Sequence, residues 1–118
     1  MQRRIPCAAA LYVLISIEPA VAVDQNGGYW VFNNTTCGQL IDDRARAADG
    51  PDRLWLAGWL SAYNEQTPNT FNLVASDDLS GAMLWIENWC RQHPLSAMAE
   101  GARELVKALY PTRQTKAP

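Results

Sequence analysis

Two cysteines most strongly constrain how this chain can fold, because they are the pair that remains once a predicted secretion signal is removed. The first 22 residues contain Cys7, two arginines, an apolar run from Ile5 to Ile17 and a small-residue end, Ala20-Val21-Ala22. This order of basic, apolar and small residues is typical of a signal peptide, and we expect cleavage after Ala22. Cys37 and Cys90 are then the only cysteines of an exported chain, which favours a disulfide between them.

The alternatives for these features are an uncleaved membrane anchor and two unpaired buried thiols. The apolar run of about 13 residues is shorter than the roughly 20 that a spanning helix needs. We therefore expect a mature chain in the periplasm of a Gram-negative bacterium, with no membrane contact. A redox enzyme is disfavoured because catalytic cysteine pairs usually occur as Cys-x-x-Cys.

Length and charge narrow the class of protein further. Residues 23–118 suffice for one domain with a modest core. A Cys37–Cys90 disulfide would close a loop of about 54 residues and contribute roughly 4 kcal/mol to the stability of that domain. From Val23 onward there are eight Lys and Arg residues against eleven Asp and Glu residues, a net charge of −3 near neutrality. No basic stripe is present, so nucleic acid is not an expected partner. In strong acid, protonation of the carboxylates leaves a charge of about +10.

The first half of the predicted helical domain, which covers residues 35–110, contains two helices. Thr36 to Gln39 matches a capping box and predicts a helix that starts there and ends near Ala48. A turn at 49–52 leads into a second helix from about Asp52 to Asn64. Its apolar arc of about 160° predicts that this helix forms the centre of the core.

The second half contains two more helices after an ordered loop from Glu65 to Ser76. Asp77 or Asp78 is predicted to cap the third helix, whose apolar residues follow i, i+3, i+4, i+7 spacing. His93-Pro94 should end that helix and start the fourth, with Pro94 in its first turn. Pro111 should stop the fourth helix.

The remaining segments are predicted to lack regular structure. Residues 23–34 are interpreted as a flexible lead after the signal peptide at 1–22, and residues 111–118 as a disordered tail. The predicted fold is therefore all-α: a small four-helix single domain stapled by one disulfide, which joins the start of the first helix to the end of the third.

Four motifs of this chain resemble the HdeA/HdeB family of periplasmic acid-stress chaperones. They are Thr36-Cys37, the Trp-x-x-Gly-x-Leu-Ser-x-Tyr-Asn block from Trp55 to Asn64, Asp77 before the third helix, and Cys90 followed by His93-Pro94-Leu95. The resemblance implies an HdeA-like fold that is a homodimer near neutral pH. It also implies that acid dissociates and partly opens the protein, which then shields unfolded client proteins.

A second resemblance gives a different function. The block around Gly58 and the run from Trp89 through His93-Pro94 to Leu109-Tyr110-Pro111 are similar to immunity proteins that neutralise type VI secretion amidases. This likeness implies a protein that binds one specific effector, a secreted toxic enzyme, at neutral pH. Both functions remain open at the level of sequence.

The candidate functional residues form two sets, each with a structural alternative. The first set is a candidate client or dimer surface, because Trp is enriched at such surfaces: Trp55, Trp59, Leu84, Trp85 and Trp89. Its structural alternative is ordinary core packing. The second set consists of candidate acid sensors, because adjacent or buried carboxylates can have pKa values above the usual range: Asp42, Asp43, Asp77 and Asp78. Its structural alternative is a location at solvated helix starts and faces.

Sequence motifs give no support for catalysis or metal binding. The single histidine, His93, is predicted to act as a helix cap rather than as a pH switch or metal ligand. No nucleophile elbow, zinc-protease motif or phosphate loop is present. We therefore expect a protein that is not an enzyme and that uses no cofactor or metal.

Overall fold

A computed structural model of the chain describes residues 23–76 and 78–118. These ranges contain four α-helices and no β-strand, which confirms the all-α prediction. The helices are α1 (Cys37–Ala45), α2 (Gly50–Gln66), α3 (Leu79–Gln92) and α4 (Met98–Leu109), and a 3₁₀ turn follows at Tyr110–Thr112. The predicted signal peptide with Cys7, and the candidate residue Asp77, lie outside the described residues.

The chain divides into two compact units, Met1–Trp30 and Val31–Pro118. In the described part of the first unit, Asp24 organises a turn: its Oδ1 accepts hydrogen bonds from the N–H groups of Asn26 at 2.8 Å and Gly28 at 2.7 Å. Gly27 has a φ of +78°, a left-handed conformation that glycine adopts without strain. The lead predicted at 23–34 is therefore not one segment, since residues 31–34 belong to the helical unit.

Helix α1 starts where the sequence predicts and ends three residues earlier. The Thr36 hydroxyl accepts the N–H of Gln39 at 3.1 Å, which is the N-cap half of the predicted capping box. The Gln39 side chain donates to Asp43 at 2.7 Å. Ala47 has a φ of +51°, and the N–H groups of Ala47 and Ala48 donate to the carbonyls of Arg44 and Asp43. This is a Schellman ending. No glycine marks it in the sequence, which is why the prediction ran on to Ala48.

The boundaries of α2 and α3 follow local signals. Pro51 lies in the first turn of α2, where its missing N–H costs nothing, so the predicted turn at 49–52 is instead the start of the helix. Of the two predicted caps for α3, Asp78 accepts the N–H of Gly81 at 2.8 Å. His93 takes the C-cap position of α3.

Helix α4 starts at Met98, so the prediction that Pro94 lies in its first turn is wrong. Residues 96–98 run beside residues 35–37: the Cys37 N–H donates to the Ser96 carbonyl at 2.9 Å, and the Met98 N–H donates to the Thr35 carbonyl at 2.8 Å. Such pairing requires extended backbone. It also leaves Leu95, expected on the apolar stripe, fully exposed.

The core is centred on α3 rather than on α2. Helix α3 contacts α1, α2 and α4 through an apolar face that is buried along its whole length: Ala82, Met83, Ile86 and Cys90. Helix α2 adds only Leu56 and Leu60 to the buried core. Its wide apolar arc is therefore only partly covered.

The first residues of the predicted tail at 111–118 contact another part of the fold. The Gln114 N–H donates to the Asn72 carbonyl at 2.9 Å, and the Gln114 carbonyl accepts the Phe71 N–H at 2.8 Å. The Arg113 guanidinium lies 3.8 Å from the centre of the Tyr110 ring. These contacts with a loop distant in sequence hold a segment whose own composition indicates disorder.

Gly101 allows α4 to approach α3 closely, which predicts the effect of adding one methyl group. A Cβ at this position would lie 3.0 Å from the Trp89 ring and 3.1 Å from the Ile86 side chain. Gly101→Ala gains about 1 kcal/mol of helix propensity, but overpacking costs about 1–3 kcal/mol. At Gly38, on the exposed side of α1, an added Cβ meets no atom within 4 Å.

We therefore expect Gly101→Ala to be less stable than the matched control Gly38→Ala by at least about 1 kcal/mol. Urea denaturation of both variants measures the difference. Equal midpoints would show that the α3–α4 contact adjusts without cost.

Candidate functional site

The Cys37–Cys90 disulfide is formed and fully buried, which confirms the predicted pairing. The two Cα atoms are 5.0 Å apart, and neither residue is exposed. The bond joins the first residue of α1 to the last turn of α3. It lies beside the paired segments 35–37 and 96–98 and fixes the N-terminal end of α1 against the core.

The predicted tryptophan surface is divided between two sides of the fold. Trp55 and Trp59 lie on α2 with ring centroids 6.3 Å apart, and Tyr63 continues the row 6.0 Å beyond Trp59. All three are half-buried. The Trp55 Nε1 donates to the Phe32 carbonyl at 2.8 Å, which positions its ring. We call these three residues the aromatic stripe.

The other candidates belong to α3 and do not join the aromatic stripe. Trp89 packs over Gly101 of α4 and stacks on His93 with ring centroids 4.1 Å apart. Trp85 lines a cleft together with Leu105 and Leu109 of α4. Leu84 lies on the outer side of α3 and is half-exposed. Trp85 and Trp89 therefore serve the packing of α3 on α4.

The outer face of α2 is a surface that the sequence prediction missed. Leu54 is 77% exposed, Ser61 and Ala62 are exposed, and a Cβ added to Gly58 would meet nothing within 4 Å. No charged residue occurs from Leu54 to Asn64. We call these four residues, Leu54, Gly58, Ser61 and Ala62, the α2 outer face. The absence of charge could have indicated it, but exposure depends on which side α3 covers.

Three of the predicted acid sensors lie among the described residues, at the surface or at a helix cap. Asp42 is exposed. Asp43 accepts hydrogen bonds from Gln39 at 2.7 Å and from Arg46 at 3.0 Å. Asp78 caps α3. Two carboxyl groups outside the predicted set, those of Asp52 and Glu87, lie at contacts between elements and have shifted pKa values.

Asp52 is a buried carboxyl group in the first turn of α2. It is 5% exposed; its Oδ1 accepts the Thr35 hydroxyl at 2.7 Å, and its Oδ2 is buried without a hydrogen-bond partner. Burial raises the pKa of Asp52, and the nearby Asp43 and Asp49 carboxylates raise it further, whereas the Thr35 hydrogen bond opposes the rise. The buried charge thus destabilises the fold when Asp52 is ionised.

Glu87 is the opposite case, a carboxylate held between two arginines. Arg44 of α1 pairs with Glu87 and also with Asp49 at 3.0 Å, and Arg91 pairs with Glu87 at 2.6 Å. The hydrogen bond from Arg44 is the main reason that the pKa of Glu87 is lowered, with Arg91 adding to it and burial opposing it. We call these four residues, Arg44, Asp49, Glu87 and Arg91, the Arg44 junction; it connects α1, the start of α2, and α3.

The described residues contain no group of three His, Cys, Asp or Glu side chains placed to hold a metal ion. Within the same ranges, no helix has the length and apolar character needed to cross a membrane. The described part of the chain thus offers an uncharged helix face around the exposed Leu54, one buried carboxyl group at Asp52, and one carboxylate between two arginines at Glu87.

Comparison of the chain with protein-family models, with curated proteins and with solved structures finds no match. The family resemblances therefore remain predictions from the motifs.

Proposed function

We propose that this protein is an exported, acid-activated chaperone of the periplasm that binds unfolded clients through apolar helix faces. The observation that carries the proposal is the α2 outer face, where Leu54 is 77% exposed beside the aromatic stripe. A helix face with exposed apolar groups and no charge is typical of a protein–protein contact surface. Unfolded clients expose apolar segments of the same kind.

Near neutral pH, we propose that two copies of the chain cover this surface in a homodimer. An uncharged face is compatible with a second copy of itself, because no like charges oppose each other across the contact. In strong acid each copy carries about +10 charges after signal removal, so the copies repel each other and the dimer dissociates. The buried disulfide limits how far each copy then unfolds.

Suppression of client aggregation tests the proposal. We expect the oxidised chain to prevent aggregation of an acid-labile protein at about pH 2 and not at pH 7, and its mass to fall from dimer to monomer between these conditions. Leu54→Lys places a charge on the α2 outer face and should weaken suppression several-fold. Leu95→Lys is the matched control, because Leu95 is equally apolar and fully exposed but lies in the loop between α3 and α4.

No suppression at either pH would contradict the chaperone function. Equal suppression by both lysine variants would contradict the role of the α2 outer face while leaving the activity itself intact.

The exposure of Leu54 also favours a second candidate function, an immunity-type protein that binds a toxic enzyme at neutral pH. The α2 outer face is accessible without any opening of the fold, so a specific effector could bind it in the neutral state. Tight binding to a purified secreted amidase at pH 7, lost in Leu54→Lys and kept in Leu95→Lys, would support this function over the first.

A further inference from the structure

Helix α1 is attached to α3 at both of its ends by contacts that respond differently to acid. At its N-terminal end, Cys37 is bonded to Cys90. At its C-terminal end, Arg44 pairs with Glu87. The two attachments are seven positions apart on α1, about 10 Å along its axis.

The covalent attachment does not titrate, whereas the ionic one does. Glu87 must be ionised to accept both arginines, and its side chain is only 13% exposed, so the pair is shielded from water. The groups facing Glu87 are Arg44 from α1 and Arg91 from its own helix, with Asp49 on the far side of Arg44. Protonation of Glu87 removes the charge that holds Arg44 to α3.

We propose that α1 is an acid-released flap, hinged on the Cys37–Cys90 bond and latched to α3 by Arg44 and Glu87. Release of the latch moves the C-terminal end of α1 away from α3 and uncovers Leu40, which is fully buried in the closed state. The inference rests on the proposed acid-activated function, for which it names the trigger.

The direction of the pH effect follows from the position of Glu87. Its folded pKa lies below the ordinary value of 4.5, so the latch stabilises the closed state above that pH. Its contribution is lost as the pH falls from 4.5 through the folded pKa. The flap should therefore open in strong acid and stay closed near neutrality.

Asp52 has the opposite effect and keeps α2 in place when the flap opens. Its folded pKa lies above the ordinary value of 3.8, so ionised Asp52 destabilises the fold near neutrality. Protonation relieves that cost as the pH falls through the folded pKa, and the relief is complete below 3.8. The groups facing Asp52 are Asp43 of α1, Asp49 and Thr35, and none of them is a cation.

Amide hydrogen exchange of the oxidised chain, measured without any client, tests the flap. Between pH 6 and pH 3, we expect the protection factors of α1 amides to fall at least ten-fold more than those of α4 amides. In Glu87→Gln the α1 protection should already be low at pH 6 and should change little with pH. Arg91→Gln leaves the Arg44–Glu87 pair in place, so α1 should stay protected at pH 6. Because Arg91 also helps to lower the pKa of Glu87, release of α1 in this variant should begin at a higher pH than in the wild type.

Two further variants distinguish loss of the Arg44–Glu87 pair from a general folding defect. Arg44→Met removes the latch from the α1 side and should reproduce the Glu87→Gln profile. Asp52→Asn should be more stable than the wild type at pH 7, with the difference vanishing at pH 3. Equal loss of protection in α1 and α4, or an unchanged pH profile in both Glu87→Gln and Arg44→Met, would overturn the flap.

The outcome separates this inference from the proposed function. Selective release of α1 without client protection would support the flap and contradict the chaperone. Suppression of client aggregation together with an equal loss of amide protection in all helices would support the chaperone and contradict the flap.

Discussion

Removal of the Cys37–Cys90 disulfide is expected to lower the free energy of unfolding by about 4 kcal/mol, the largest effect of any single change in this chain. The bond joins residues 53 positions apart, so its loss frees a long loop in the unfolded state. A domain of this size has a net stability of about 5–15 kcal/mol. Loss of the bond should therefore remove a large fraction of the total.

Helix α1 should be the first element to respond. It has nine residues, which is too short to be stable on its own, and only Cys37 and Leu40 of its side chains are fully buried. Urea denaturation of the oxidised chain and of the Cys37→Ala/Cys90→Ala double variant measures the change. The double variant avoids both a free thiol and a buried hydroxyl group.

A decrease of less than about 1 kcal/mol in the double variant would contradict this account, because it would mean that the unfolded chain is already compact across the loop. The single variants are poor substitutes, since each leaves an unpaired thiol that can form a bond with a second copy.

Leu56→Ala is expected to have the second largest effect, a loss of about 3 kcal/mol. Leu56 is fully buried and, with Leu60, is one of two leucines that attach α2 to the core. Truncation removes three carbons from a closely packed site and leaves a cavity. Because α2 adds few other buried side chains, its packing on α3 should weaken as a whole.

The same helix offers a matched control two residues away. Leu54→Ala makes the identical chemical change at a side chain that is 77% exposed, and it should alter stability by less than about 0.5 kcal/mol. Thermal or urea unfolding of the two variants, measured at a concentration where the chain is monomeric, gives the comparison. Equal losses would contradict this prediction, because a side chain that is exposed in the monomer should contribute little to its stability.

Local chemistry explains which parts of the fold the sequence predicted. The Thr36 cap, the Asp78 cap and the end of α3 before His93 depend on residues within four positions of each other, so short-range spacing identifies them. The disulfide was also predictable, because removal of the predicted signal peptide would leave only one pair of cysteines. Four amphipathic segments joined by such signals define an all-α fold.

Contacts between distant residues explain what the sequence did not predict. Helix α4 begins late because residues 96–98 pair with residues 35–37, and residues 113–114 are ordered because they bind the loop at 71–72. No local signal encodes either pairing. The central position of α3 likewise depends on which faces meet, and the apolar arc of α2 could not reveal that part of it stays exposed.

The two acidic sites show most clearly which properties depend on the sequence and which depend on the tertiary structure. The sequence by itself determined the chain's acidic charge, its cysteine pair and its four helices, because these depend on composition and on near neighbours. Only the tertiary structure decided that Asp52 is buried and that Glu87 lies between two arginines, positions that shift the pKa values of these two groups in opposite directions. The physical reason is that a pKa depends on burial and on charges brought close in space, and Glu87 meets Arg44 across 43 positions of sequence.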